Sequence, residues 1–246
     1  MALIMSNMSQ NCLLIAGTDT EVGKTVVSSA LIAYWRYFLP LSRLGVIKLM
    51  QTGLGDRQWY EQFCDPQTVL RVPLEYDTPV APPVAAALEG REIDLGVVWR
   101  SLVDLRSSCD FVVAESLGSL GSPVTDELLV ADLAGQWRLP TVLVVPVKLG
   151  SIGQAIAQVS LARERKVNLQ GIILSCGYRE APGKIDDLTP PEMLQNLTQI
   201  PVLGVMPYVE NLADHEVLAK IPSDWNLETL LPQDVRPCLN TLRQAV

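Results

Sequence analysis

The chain has 246 residues, 48% hydrophobic and 19% charged, so it can bury a sizeable core and is not a disordered polymer. Lys and Arg number 19 against 27 Asp and Glu, a formal net charge of −8 without a basic run, which argues against nucleic acid and anionic membrane as partners. The five cysteines form no CxxC and lie in or beside apolar stretches, the pattern of reduced thiols in a cytosolic protein; with His215 the single histidine, Cys/His metal centres are disfavoured.

Residues 1–10 lack a basic segment followed by an apolar core, so they read as a disordered lead and not as a secretory signal. Short continuous apolar runs follow at Cys12–Ala16, Gly45–Leu49, Phe111–Glu115, Thr141–Val145, Gly171–Ser175 and Val202–Met206. Continuous runs predict strands buried on both faces of a parallel sheet. The longest, Thr141–Val147, is far below the ~20 residues of a membrane-spanning helix.

Helical spacing covers Thr25–Phe38, Asp94–Arg106, Asp126–Trp137 and Ser151–Lys166, with Asp94 and Ser151 as N-caps. Thr52–Pro83 is proline-rich and predicts short helices mixed with loop, and Ala181–Pro191 an irregular crossover. His215 reads as a solvated residue at a helix start, and a last helix is expected near Asp234–Ala245. Strand–helix alternation predicts right-handed crossovers and one three-layer α/β domain over residues 11–246.

The segment Gly17-Thr18-Asp19-Thr20-Glu21-Val22-Gly23-Lys24-Thr25 follows a predicted strand and opens a predicted helix, the setting a phosphate-binding loop requires. The backbone of Thr20, Glu21, Val22 and Gly23 would curl around phosphate oxygens, Lys24 would add a point charge, and the Thr25 hydroxyl would ligate Mg²⁺. Glu115, at the end of a buried strand, is placed to share that ion.

The same string resembles the opening motif of the dethiobiotin synthetases, ATP-dependent carboxylating enzymes of biotin synthesis, and the likeness runs over residues 11–210. The resemblance implies a P-loop NTPase-like fold with a mostly parallel sheet of about seven strands, and a homodimer in the cytoplasm. It also implies ATP with Mg²⁺ and, as substrates, 7,8-diaminopelargonate and CO₂ or bicarbonate.

The block Lys48-Leu49-Met50-Gln51-Thr52-Gly53 matches the family, with Lys48 facing the phosphates opposite Lys24 as the second catalytic cation and Thr52 touching the diamine. Asp56 matches a residue that holds metal and ATP beside Thr25 and Glu115. After Glu115 the family's glycine-rich loop is replaced by Ser-Leu-Gly-Ser-Leu-Gly-Ser; Gly118 and Gly121 still admit a ligand, and Ser119 and Ser122 add hydroxyls. Lys148-Leu149-Gly150-Ser151-Ile152 matches a loop that, across a dimer interface, holds the substrate carboxylate through Gly150 and Ser151. Ser175 stands where the family has Asn, and with Pro207 and Tyr208 it would frame the nucleotide base.

Related classes fit less well. Partition-type ATPases carry an extra lysine early in the loop, absent from Gly17–Thr20. Amidating synthetases of cobalamin synthesis need a Cys–His glutaminase domain. A non-catalytic nucleotide-sensing module is the alternative from a different class, and retention of Lys24, Thr25, Lys48 and Glu115 speaks against it.

Overall fold

The computed structural model describes residues 11–232. The expected disordered lead and the helix near Asp234–Ala245 lie outside them. The elements are β1 (Cys12–Gly17), α1 (Lys24–Phe38), β2 (Leu44–Lys48), β3 (Gln51–Thr52), α2 (Asp56–Phe63), β4 (Val69–Arg71), β5 (Glu75–Tyr76), α3 (Pro82–Leu88) and α4 (Leu95–Ser108). They continue with β6 (Phe111–Ser119), α5 (Val130–Gln136), β7 (Pro140–Pro146), α6 (Ser151–Glu164), β8 (Asn168–Ser175), α7 (Ile185–Leu188), α8 (Pro191–Thr198), β9 (Val202–Met206), α9 (His215–Lys220) and α10 (Leu227–Leu230).

Seven strands form one sheet in the order β4-β2-β6-β1-β7-β8-β9, with all pairings parallel. Side-chain alternation divides the core between the two faces. Leu14, Val112, Ala114 and Leu143 join Val98, Leu102 and Val159 of α4 and α6 on one side. Leu13, Ile15, Phe111 and Val113 join Val27, Leu31 and Trp35 of α1 on the other. Trp35 stacks on Phe111 with ring centroids 4.7 Å apart. Both faces are covered, which is why the strands read as unbroken apolar runs.

From β1 the chain steps two places to β2, returns through β6 and then proceeds outward through β7, β8 and β9. The strand order therefore reverses beside β1, and a crevice opens at the carboxyl ends of the strands there. Among the described residues no helix is long and apolar enough to cross a membrane.

Four expectations need correction. Thr52–Pro83 is not only helix and loop: it supplies the edge strand β4, and β3 and β5 pair as a separate two-stranded parallel sheet. Proline density hid three strands of two or three residues each. Helix α5 begins at Val130 rather than Asp126, because Thr125 Oγ1 accepts the Glu127 and Leu128 N–H groups in a turn and Asp132 then caps Leu129. The N-cap of α6 is Gly150, in the left-handed region at φ 90°, and Ser151 lies one residue inside the helix. Glu115 does not end its strand, since β6 runs on to Ser119. Asp94 caps α4 as expected, accepting from Gly96 N at 2.8 Å.

Candidate active site

A cavity of about 430 Å³ opens at the switch point, lined by the P-loop (Thr20, Glu21, Gly23, Lys24, Thr25), Lys48, Thr52, Asp56, Glu115 and Gly118, with Val26, Met50, Gln51 and Leu117 completing the wall. The loop conformation follows from its glycines. Gly23 sits at φ 96°, and a Cβ there would come within 2.3 Å of Ser175 Oγ. Only glycine fits, so the loop rests directly on the end of β8. Val22 turns its side chain into the core, which leaves its backbone N–H as the group able to meet a phosphate.

Parallel register brings the charges together. Lys48, the last residue of β2, is the direct partner of Glu115 on β6, and both share the parity of the face covered by α1 and α2. Lys48 Nζ lies 2.6 Å from Glu115 Oε1 and 2.5 Å from Asp56 Oδ2, and donates to the Ser116 carbonyl at 3.1 Å. Thr25 Oγ1 is 3.1 Å from Glu115 Oε1 and 3.3 Å from Asp56 Oδ1. Glu115 is fully buried and Lys48 is 3% exposed, so neither ion could persist there without the other. Burial pulls the Lys48 pKa down, but Glu115 and Asp56 outweigh it and the net shift is upward.

Lys24 lines the cavity and also serves its own loop. Its Nζ donates to the Asp19 carbonyl at 2.8 Å, bracing the loop. Burial, reinforced by the charge of Lys48, lowers its pKa to about 8, against the opposing pull of Glu115, Asp56 and Asp19.

Three residues to which the motifs give no role complete the cluster. Tyr60, fully buried on α2 one turn after Asp56, donates its phenol to Glu115 Oε2. Gln51 accepts from Arg57 N at 2.8 Å and donates to Gly53 O at 2.9 Å, fixing where α2 starts and hence where Asp56 points. Trp59 Nε1 donates to Ser29 Oγ at 2.9 Å and pins α2 to α1. A tyrosine spaced four residues from a carboxylate on a short amphipathic helix was the available sign of Tyr60.

Other expected residues lie elsewhere. Ser119 and Ser122 bond within their own loop: Ser122 Oγ accepts from Ser119 N at 2.8 Å, and Ser119 Oγ from Gly121 N at 3.2 Å. Gly118, at φ 45°, packs against Ser122 while still lining the cavity. Ser175 is buried beneath Gly23, Pro207 and Tyr208 follow β9, and Gly150 and Ser151 stand at the start of α6; none of these five lines the cavity. His215 opens α9, exposed as expected, with its ring stacked on Phe63 at 4.2 Å.

A phosphate-loop turn between strand and helix, a switch-point crevice and a Lys–carboxylate cluster on its floor define a P-loop NTPase-type protein. The AAA domain family matches residues 11–216. The ParA family ATPase from Chlorobium tepidum shares the fold with a TM-score of 0.54 at 11% identity, covering 91% of this chain and 97% of that one. The MinC:MinD complex of Aquifex aeolicus does so with a TM-score of 0.51 at 13% identity, covering 96% and 95%. At these identities the likeness concerns fold alone.

Sequence relatives are more specific. ATP-dependent dethiobiotin synthetases from Gloeothece citriformis and Crocosphaera subtropica are 53% and 55% identical over 222 and 218 residues, in each case 89% of this chain and 98% of the relative. That of Synechocystis is 53% identical over 237 residues, 92% of this chain and 99% of the relative. The chain belongs to the dethiobiotin synthetase family.

Proposed function

We propose that the protein joins CO₂ to the vicinal diamine 7,8-diaminopelargonate at the expense of ATP, giving dethiobiotin, ADP and phosphate. One amine adds to CO₂ and loses a proton to form a carbamate. A carbamate oxygen attacks the γ-phosphorus and ADP leaves. The second amine then attacks the carbonyl carbon of the mixed anhydride, closing the urea ring and expelling phosphate.

No protein nucleophile takes part. The protein positions two anions that repel each other and compensates their charge. The observation that carries the reading is the Lys48–Asp56–Glu115–Thr25 cluster on the floor of a phosphate-loop cavity. Lys48 is the cation for the carbamate and transferred phosphoryl group, Lys24 for the triphosphate, and Thr52 contacts the diamine.

Thr25, Asp56 and Glu115 suit Mg²⁺. Their hard oxygens converge where a cation, the Lys48 ammonium, is already accepted. Two carboxylates and a hydroxyl also leave positions for water and phosphate, as magnesium requires. When bound, the ion would draw charge from the phosphate oxygens. Bicarbonate as CO₂ source, cytoplasmic location and a homodimer in which Gly150 and Ser151 of one chain reach substrate held by the other belong to the same proposal.

Ser175, Pro207 and Tyr208 take the base side. A single hydroxyl cannot hold adenine through two bonds, so kcat/KM for ATP should exceed that for GTP and CTP only modestly. An unchanged ratio in Ser175→Asn would remove that idea.

The principal test incubates protein with Mg-ATP and bicarbonate, with and without the diamine, and scores the cyclic urea by mass. Diamine-dependent phosphate release with the urea product is expected. Phosphate release indifferent to the diamine would favour a nucleotide-sensing module.

A further inference from the structure

We infer that Tyr60 is a positioning residue that holds Glu115 to one-oxygen ligation and thereby selects Mg²⁺ over Ca²⁺. The inference rests on the metal reading above. Glu115 has two oxygens with separate duties. Oε1 faces Thr25 Oγ1 at 3.1 Å and Lys48 Nζ at 2.6 Å, on the cavity side. Oε2 accepts the phenol of Tyr60.

The carboxylate and the tyrosine are both fully buried, so no water competes for that bond. Tyr60 is itself anchored, since it belongs to the core that covers the α1 face of the sheet and its helix is tied to α1 through Trp59 and Ser29.

The consequence concerns ion size. Presenting both oxygens to one ion requires the carboxylate to rotate off Tyr60. Ca²⁺ takes six to eight oxygens and commonly uses a carboxylate through both atoms; Mg²⁺ takes six and is satisfied by one atom from each carboxylate. Locking Oε2 on a buried donor therefore penalises the larger ion. Asp56 stands on the same helix, four residues before Tyr60, so one short helix sets the position of one carboxylate and the rotation of the other.

The test uses the full chain and a non-hydrolysable ATP analogue, titrated calorimetrically in Mg²⁺ and in Ca²⁺. The wild type should bind the Mg²⁺ complex more tightly. Tyr60→Phe should reduce that Mg²⁺/Ca²⁺ preference by about three- to tenfold, the size of one net hydrogen bond. A merely structural role would weaken both complexes alike, and an unchanged ratio would overturn the inference.

Difference infrared spectra provide a second reading that does not depend on the Tyr60 variant. The carboxylate stretches lost in Glu115→Gln should show one-oxygen splitting with Mg²⁺; a two-oxygen pattern with the phenol bond intact would overturn the inference. If Glu115→Gln leaves Mg²⁺-dependent analogue binding untouched, the metal reading itself fails and Tyr60 with it.

Discussion

Around Glu115, the side chains of Thr25, Lys48, Asp56, Tyr60 and Glu115 are each bonded to another of the five. At the start of α6 the situation is reversed. Ser151 Oγ and Gln154 Oε1 are buried without a hydrogen-bond partner among the described residues, while Leu149 beside them is 87% exposed. The difference follows from charge. A buried ion must be paired within the chain before any ligand arrives, whereas a neutral hydroxyl can be left waiting at a cost of about 1–3 kcal/mol. The charged cluster is thus arranged within one chain, and at the start of α6 the Ser151 hydroxyl and the Gln154 carbonyl are left unbonded among the described residues.

The largest test of this contrast is Lys48→Gln. It should lower kcat by about 10²–10³, the usual loss for one transition-state electrostatic contact. Near wild-type turnover would deny Lys48 its role. Next is Glu115→Ala, which leaves Lys48 buried with half its counter-charge and should destabilise the fold by about 3–5 kcal/mol in urea unfolding. A change below 1 kcal/mol would mean the cluster is not held together by its charges.

A smaller effect concerns pH. In the nucleotide-free protein Lys24 titrates at about 8, against 10.5 ordinarily. Its charge is fully present below that pH and lost as pH rises through it, so triphosphate affinity should fall between about pH 7 and 9. The same lowered value makes the unfolded state bind more protons between about 8 and 10.5, so this group's contribution to stability rises with pH there. Lys24→Gln should bind triphosphate more weakly and flatten the affinity profile; an unaltered profile would point to another group.

The smallest effect sharpens the other half of the comparison. Ser151→Ala removes a hydroxyl without a partner, so thermal stability should stay within about 0.5 kcal/mol or rise. The KM for the diamine should nevertheless increase. A clear loss of stability would show that Ser151 already serves the fold.

Much of this molecule is written locally. Six of the seven main strands lie within a few residues of continuous apolar runs, because strands covered on both faces have no polar side to interrupt them. Edge strand β4 has no such run: its residues Val69, Leu70 and Arg71 are only partly covered or exposed and stand among prolines. The phosphate loop was legible because backbone geometry demands glycine at a fixed place, Glu115 stood out as a carboxylate closing a buried apolar run, and Lys48 and Asp56 were picked out through the family motif. That motif did not say that Lys48 and Glu115 would face each other, that Lys24 would brace its own loop, or that Ser119 and Ser122 would bond within theirs.

By itself the sequence determined a parallel α/β domain, its phosphate loop and the identities of its cationic and acidic residues. These depend on short-range spacing and on the burial each strand expects. Only the tertiary structure decided which of those residues meet. Strand register sets Lys48 opposite Glu115, and the small β3–β5 sheet with Gln51 sets where α2 begins. The position of α2 then puts the Tyr60 phenol on Glu115. Such contacts join residues 55 and 67 positions apart, and over that distance periodicity carries no information about which side chains will touch.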